Sequence, residues 1–152
     1  MGKDAKNLSK DENPLDYVLG FTVGNDVSSR YWQNPQRSGS QHGPAKSFDK
    51  FAPIGPVIAS LKAVGDPEKL SLRTWANGEL RQGGSTDDLI FDIGHIIRHL
   101  SRGMTLRKGT IIMTGTPRYV SKHCTEGKKK LTLVVVSRHS INLQSGCKMA
   151  TW

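Results

Sequence analysis

Leu89, Ile90, Ile93, Ile96, Ile97 and Leu100 recur at helical spacing on one face of a hypothetical α-helix. The spacing predicts a helix over residues 87–102, with Ser85 opening a capping box to Asp88 and Gly103 as the stop. Such a stripe must be buried against another layer, and the rest of the chain offers strands for it. Asp16 to Val23 alternates with Tyr17, Leu19, Phe21 and Val23 on one face. Phe51 to Ser60 is apolar but punctuated by Pro53, Gly55 and Pro56, which suits an edge or broken strand. Leu70 to Ala76 and Glu79 to Gln82 flank Asn77-Gly78, a two-residue hairpin signal. Thr110 to Thr114 and Leu131 to Ser137 are further strand candidates, and residues 34–45 read as an exposed loop. The expected class is α+β, β-rich, with one long helix.

The net charge of +9 suggests a nucleic-acid partner until its position is considered. Residues 1–117 hold 15 Lys or Arg against 12 Asp or Glu, whereas residues 118–152 hold seven against Glu126 alone. The excess therefore belongs mainly to the last 35 residues, which also hold both cysteines, Cys124 and Cys147. A nearly balanced body without a recognition motif argues against nucleic acid as the partner. No run of eighteen apolar residues is present, so no membrane span is expected. Met1 to Asn13 lacks the apolar stretch of a secretory signal and the Arg and Ser content of a transit peptide. A soluble cytoplasmic protein is expected, with a mitochondrial one as the alternative.

Few residues carry chemistry on local grounds. Asp26 follows a strand and opens a turn, where it reads either as an Asx-type cap or as a hard-oxygen ligand for Mg²⁺ or Ca²⁺. Lys46, among Gly43, Ser47 and Asp49, is either an exposed loop lysine or a point charge for a substrate carboxylate. Thr114-Gly115-Thr116-Pro117 is either an ordinary turn or a source of hydroxyl and N–H groups for an anion. Asp88, Asp92, His95 and His99 share one helix side opposite the apolar stripe, which reads as a solvated face. No Ser-His-Asp order, phosphate loop or paired-cysteine motif is present.

Five segments, read in order, say more. They are Asp16 to Arg30 (DYVLGFTVGNDVSSR), Lys46 to Pro56 (KSFDKFAPIGP), Asn77-Gly78, Asp88 to Phe91 (DLIF) and Thr114 to Pro117 (TGTP). In order and spacing they resemble the fumarylacetoacetate hydrolase family, from about Gly2 to Pro117, and most of all its small acylpyruvase and oxaloacetate decarboxylase branch. The resemblance implies a mixed β-roll acting on short β-diketo or α-keto acids, by hydrolysis or decarboxylation of a C–C bond. It implies a divalent cation, Mg²⁺ or else Mn²⁺ or Ca²⁺, held by a Glu-x-Glu pair and by an Asp matching Asp26. Gln33 matches a substrate contact, Lys46 the lysine beside the metal and the substrate carboxylate, and Thr116 the threonine at the substrate's acid end.

The resemblance also marks departures. The family's Glu-x-Glu strand ends just before the stretch matching Gly2 to Asn7, and its general-base His lies upstream as well. Arg118 to Trp152 does not resemble the family's closing strands, and its composition fits a frameshifted or alternatively spliced end. The expected organisation is a partial catalytic domain over 1–117, with an incomplete roll, and a non-family basic tail over 118–152, with disorder one reading of it. The expected metal binding is weak. The alternative to an active enzyme is an impaired fragment or pseudoenzyme that forms a homodimer, or a heterodimer with a full-length relative.

Overall fold

The structure, a computed structural model, describes residues 1–115 and the strand at 130–134. Two small antiparallel sheets and one longer helix make up a mixed α/β arrangement. Its pivot is β1 (Phe21–Asp26), whose first four residues are all buried. β1 is flanked by β2 (Ile54–Ala59) and β5 (Lys130–Val134), both antiparallel to it. The second sheet is the hairpin of β3 (Ser71–Ala76) and β4 (Glu79–Ser85). Short helices α1 (Pro35–Ser38) and α2 (Leu61–Val64) lie in the connections, and α3 (Ile93–Ser101) is the longer helix. No closed β-roll is formed among the described residues.

The hairpin forms where expected because both turn residues accept positive φ, 54° at Asn77 and 80° at Gly78, as a type I′ turn requires. β2 is an edge strand, and its register against β1 is irregular between the Phe21 and Val23 pairs. Pro56, which has no N–H to donate, falls within that irregularity. The strand expected over Asp16–Val23 begins later. Pro14–Tyr17 is a 3-10 turn capped by Asn13, and the pairing starts at Phe21 and continues to Asp26. No helix is capped by Asp26; the next one, α1, takes Asn34 as its cap. The strand expected over Thr110–Thr114 is irregular backbone. Its first carbonyl accepts the Met1 ammonium at 2.5 Å.

The long helix is shorter than its periodicity promised. Ser85 caps only a 3-10 turn over Thr86–Asp88, and α3 begins seven residues later with Asp92 Oδ1 accepting the His95 N–H. Thr86 explains the delay. Its N–H donates to the Leu70 carbonyl, so residue 86 still continues the β3–β4 ladder and cannot also enter a helix. At the other end the expected stop holds, with Gly103 at φ 73° directly after the Arg102 cap.

Ile93 and Ile97 of α3 enter one core with Phe21 and Val23 of β1, Leu70 and Leu72 of the hairpin, and Leu106. Residues 1–13 stitch the periphery. Ala5 and Leu106 form a two-way backbone bridge, and Arg98 donates to the carbonyls of Ser9, Lys10 and Glu12. Among the described residues no helix is long and apolar enough to cross a membrane.

Gly20, just before β1, has no room for a side chain. A Cβ there would lie 2.5 Å from the Ala59 carbonyl oxygen and 2.8 Å from Ile58 Cγ2. Gly20→Ala is expected to cost about 1–3 kcal/mol through overpacking, read as a lower urea midpoint. An unchanged midpoint would show that β1 and β2 do not approach this closely.

Candidate functional site

Three of the expected site residues come from one end of β1 and the turns beyond it. Asp26 is the last residue of β1, half-buried. Lys46 ends the 3-10 turn Pro44–Lys46, whose middle residue, Ala45, is fully buried. The Ser29 N–H donates to the Ala45 carbonyl at 2.9 Å, which fastens that turn against the end of β1. The Lys46 ammonium therefore reaches the Asp26 carboxylate, twenty residues away in sequence, as an ion pair and hydrogen bond. The side chains are 36% and 21% exposed, so the pair is at the surface of the site and not sealed within it.

One residue that the residue patterns did not single out belongs to this cluster. Ser28 Oγ accepts from Lys46 Nζ at 3.1 Å and donates to the Asp26 backbone carbonyl at 3.1 Å. Arg30 donates from Nη1 to Gln33 Oε1 on the exposed turn that follows, where the Gln33 N–H donates to the Ser29 carbonyl at 3.1 Å. The signal for Ser28 was its place two residues after Asp26, where hydroxyls commonly bond local backbone. Nothing local signalled the Arg30–Gln33 pair. Beyond it, Tyr31 and Trp32 meet edge to face at 5.4 Å, and the Arg37 guanidinium lies 3.9 Å from the Tyr31 ring centre. Thr116 lies outside the described residues.

The expectation of a bound Mg²⁺, Mn²⁺ or Ca²⁺ is corrected. Hard cations take six or more oxygen ligands, with carboxylates supplying the charge. Here the Asp26 carboxylate is engaged by an ammonium, and no group of three or more His, Cys, Asp or Glu residues that could hold a metal exists among the described residues. The donor set does not fit a divalent cation. On α3, Asp92 is occupied as a helix cap, while the His95 ring stacks on Phe91 at 4.7 Å and parallel to His99 at 6.5 Å.

A separate cleft of about 210 Å³ opens at the other end of β1, between Leu19, Ile58, Ile96 and Ile111. Its lining is aliphatic with few polar atoms, and it contains none of Asp26, Gln33 or Lys46. Its lining also includes Met1, Thr110 and Thr114, the last from the Thr114-Gly115-Thr116-Pro117 segment.

The same stretch of chain is found in proteins of known type. It is 43% identical over 128 residues to the oxaloacetate tautomerase YisK of Bacillus subtilis (strain 168), covering 84% of this chain and 41% of that protein. It is 48% identical over 122 residues to the 4-hydroxyphenylacetate degradation bifunctional isomerase/decarboxylase of Salmonella dublin, covering 80% of this chain and 28% of that one. The crystal structure of 5-carboxymethyl-2-hydroxymuconate delta-isomerase from Mycobacterium smegmatis matches with a TM-score of 0.70 at 30% identity, over 96% of this chain and 56% of that chain. The chain thus spans less than half the length of these two curated relatives. The family model for the fumarylacetoacetate (FAA) hydrolase C-terminal region matches residues 1–146. With its strand-end Asp26 facing Lys46 and its Asn77-Gly78 hairpin in place, this chain belongs to the fumarylacetoacetate hydrolase C-terminal family.

Proposed function

We propose that this chain carries one wall of a site that binds small α-keto or β-diketo acids and assists enolate-forming chemistry on them, C–C cleavage or decarboxylation. One observation carries the reading: the Lys46 ammonium is held between Asp26 and Ser28 at the end of β1, with the Arg30–Gln33 pair on the next turn. Removing a proton or a carboxylate beside a ketone leaves an electron pair on the enolate oxygen. A fixed ammonium and an amide N–H₂ are the donors that such an oxygen and its neighbouring carboxylate require. Lys46 serves the carboxylate or the developing oxyanion, Gln33 orients the carbonyl, and Thr116 takes the acid end. Asp26 holds Lys46. All four fall within residues 1–117, which we take as the catalytic unit, with β2 and β1 as an arc of a mixed β-roll to which β5, from the segment beyond residue 117, adds a strand. The relatives' printed activities, oxaloacetate tautomerase and isomerase/decarboxylase, belong to the same chemical class.

The purified chain is expected to consume oxaloacetate, and Lys46→Met is expected to lower kcat/KM by about a hundredfold, the scale of losing one oxyanion donor. Equal rates for the two proteins, measured by direct substrate loss, would sink the reading. A second reading is favoured by Asp26, whose carboxylate is engaged by Lys46 and which joins no group of three metal-ligating residues among the described ones: an impaired subunit that pairs with a copy of itself or with a full-length relative. It predicts a mixed species on size exclusion with such a relative, and no turnover by the chain alone.

A further inference from the structure

We infer that in this chain the Lys46 ammonium takes the place of a divalent cation, so that a small keto carboxylate binds independently of metal, with Ser28 as the residue that positions the lysine. The inference rests on the keto-acid reading above and deepens it. Its basis is the direction of each hydrogen bond in the cluster. An ammonium has three donors and no acceptor, so the 3.1 Å contact to Ser28 Oγ must run from Lys46 to serine. The single serine proton is then directed to the Asp26 carbonyl, also at 3.1 Å. Ser28 cannot reverse without breaking both bonds. Lys46 Nζ is thereby fixed from two sides, by the Asp26 carboxylate and the Ser28 hydroxyl. Among the described residues its third N–H is left for a ligand.

The backbone supports the same geometry. The Ser29 N–H to Ala45 carbonyl bond and the fully buried Ala45 hold the lysine turn against the end of β1. Lys46 is the more exposed partner, 36% against 21% for Asp26, so the pair is open to a ligand from solvent. A divalent cation approaching Asp26 meets a like charge already in contact with that carboxylate and would have to displace it. A keto carboxylate needs no such displacement, since it accepts from the remaining N–H. The ion pair is close to neutral overall, so the attraction is short-ranged. A dissociation constant on the order of millimolar is expected for a small monoanion.

The test is a titration of the full 152-residue chain with pyruvate, the simplest α-keto carboxylate, followed by amide NMR at residues 26–30 and 44–47. It is run once in EDTA and once in excess Mg²⁺. The expected result is the same dissociation constant in both, within about twofold, and a loss of about tenfold in Lys46→Met. Ser28→Ala is expected to weaken binding about threefold or more, and Ser28→Thr, which keeps the hydroxyl, to restore it. The comparison of EDTA with Mg²⁺ needs no variant, so a poorly folding substitution does not remove the test. Binding that appears only with Mg²⁺, or tightens about tenfold with it, overturns the inference and leaves the keto-acid reading standing. Ser28→Ala binding as tightly as the parent overturns the positioning role. No binding of pyruvate under either condition overturns the inference and the reading beneath it together.

Discussion

Thr86→Val is expected to lower the unfolding free energy by about 3 kcal/mol, although valine matches threonine closely in shape. Thr86 is only 1% exposed. Its hydroxyl accepts from the Leu70 N–H at 2.9 Å and donates to the Pro67 carbonyl at 2.8 Å. Valine removes both bonds at once, yet its methyl still fills the space and keeps water out. A buried donor and a buried acceptor are left without partners, each costing about 1–3 kcal/mol. Thr86→Ser makes the contrast. It keeps the hydroxyl and loses one methyl, for about 1 kcal/mol. Urea titrations of the three proteins check this, and a valine variant as stable as the serine one would show that the two backbone groups find other partners. The position matters because Thr86 joins the hairpin to the segment leading into α3.

That joint also shows what the sequence could and could not reveal. The hairpin was legible because its turn is determined by two adjacent residues, Asn77 and Gly78, and by nothing distant. The edge character of β2 was legible for the same reason: proline and glycine restrict backbone locally. The start of α3 was not, since Ser85 and Asp92 both satisfy the rules for a helix cap. The choice between them was made by Leu70 and Pro67, sixteen and nineteen residues from Thr86, through its hydrogen bonds. The strand expected at Thr110–Thr114 failed in the same way, since β-branched residues make a strand only where a neighbouring strand supplies partners.

The site divides along the same line. Asp26 and Lys46 each had an ordinary local explanation, a cap and a loop lysine, and only the resemblance to a family brought them together. The structure joins them directly, through a turn whose buried Ala45 gave no sign of importance in sequence. It also pairs the Asp26 carboxylate with an ammonium, an outcome that depends on three-dimensional pairing and not on residue type. Ser28 was overlooked because serine two residues after aspartate is common in turns, and its value here comes from the lysine that arrives from residue 46.

Ile97→Ala is expected to cost about 2–5 kcal/mol, and Ile90→Ala, on the same predicted apolar stripe, less than about 0.5 kcal/mol. Periodicity treats the two isoleucines alike. The structure separates them completely: Ile97 is 2% exposed in the core, and Ile90 is 91% exposed before the Asp92 cap. Removing most of the Ile97 side chain takes away contacts with buried neighbours of β1 and the hairpin and leaves a hollow that the surrounding side chains fill only in part. Ile97 also borders the aliphatic cleft, so some of that hollow opens towards it and admits solvent, which favours the lower part of the range. Ile97→Val, which removes a single methyl group, sets the scale at about 1 kcal/mol. Thermal or urea unfolding of the three variants separates the possibilities. If Ile90→Ala proves as damaging as Ile97→Ala, then residue 90 is buried in solution, and the helix begins near Asp87 as its periodicity suggested. If only Ile97→Ala is damaging, the tie between Thr86 and Leu70 determines where the helix starts, and the apolar stripe only determines which face it turns inward.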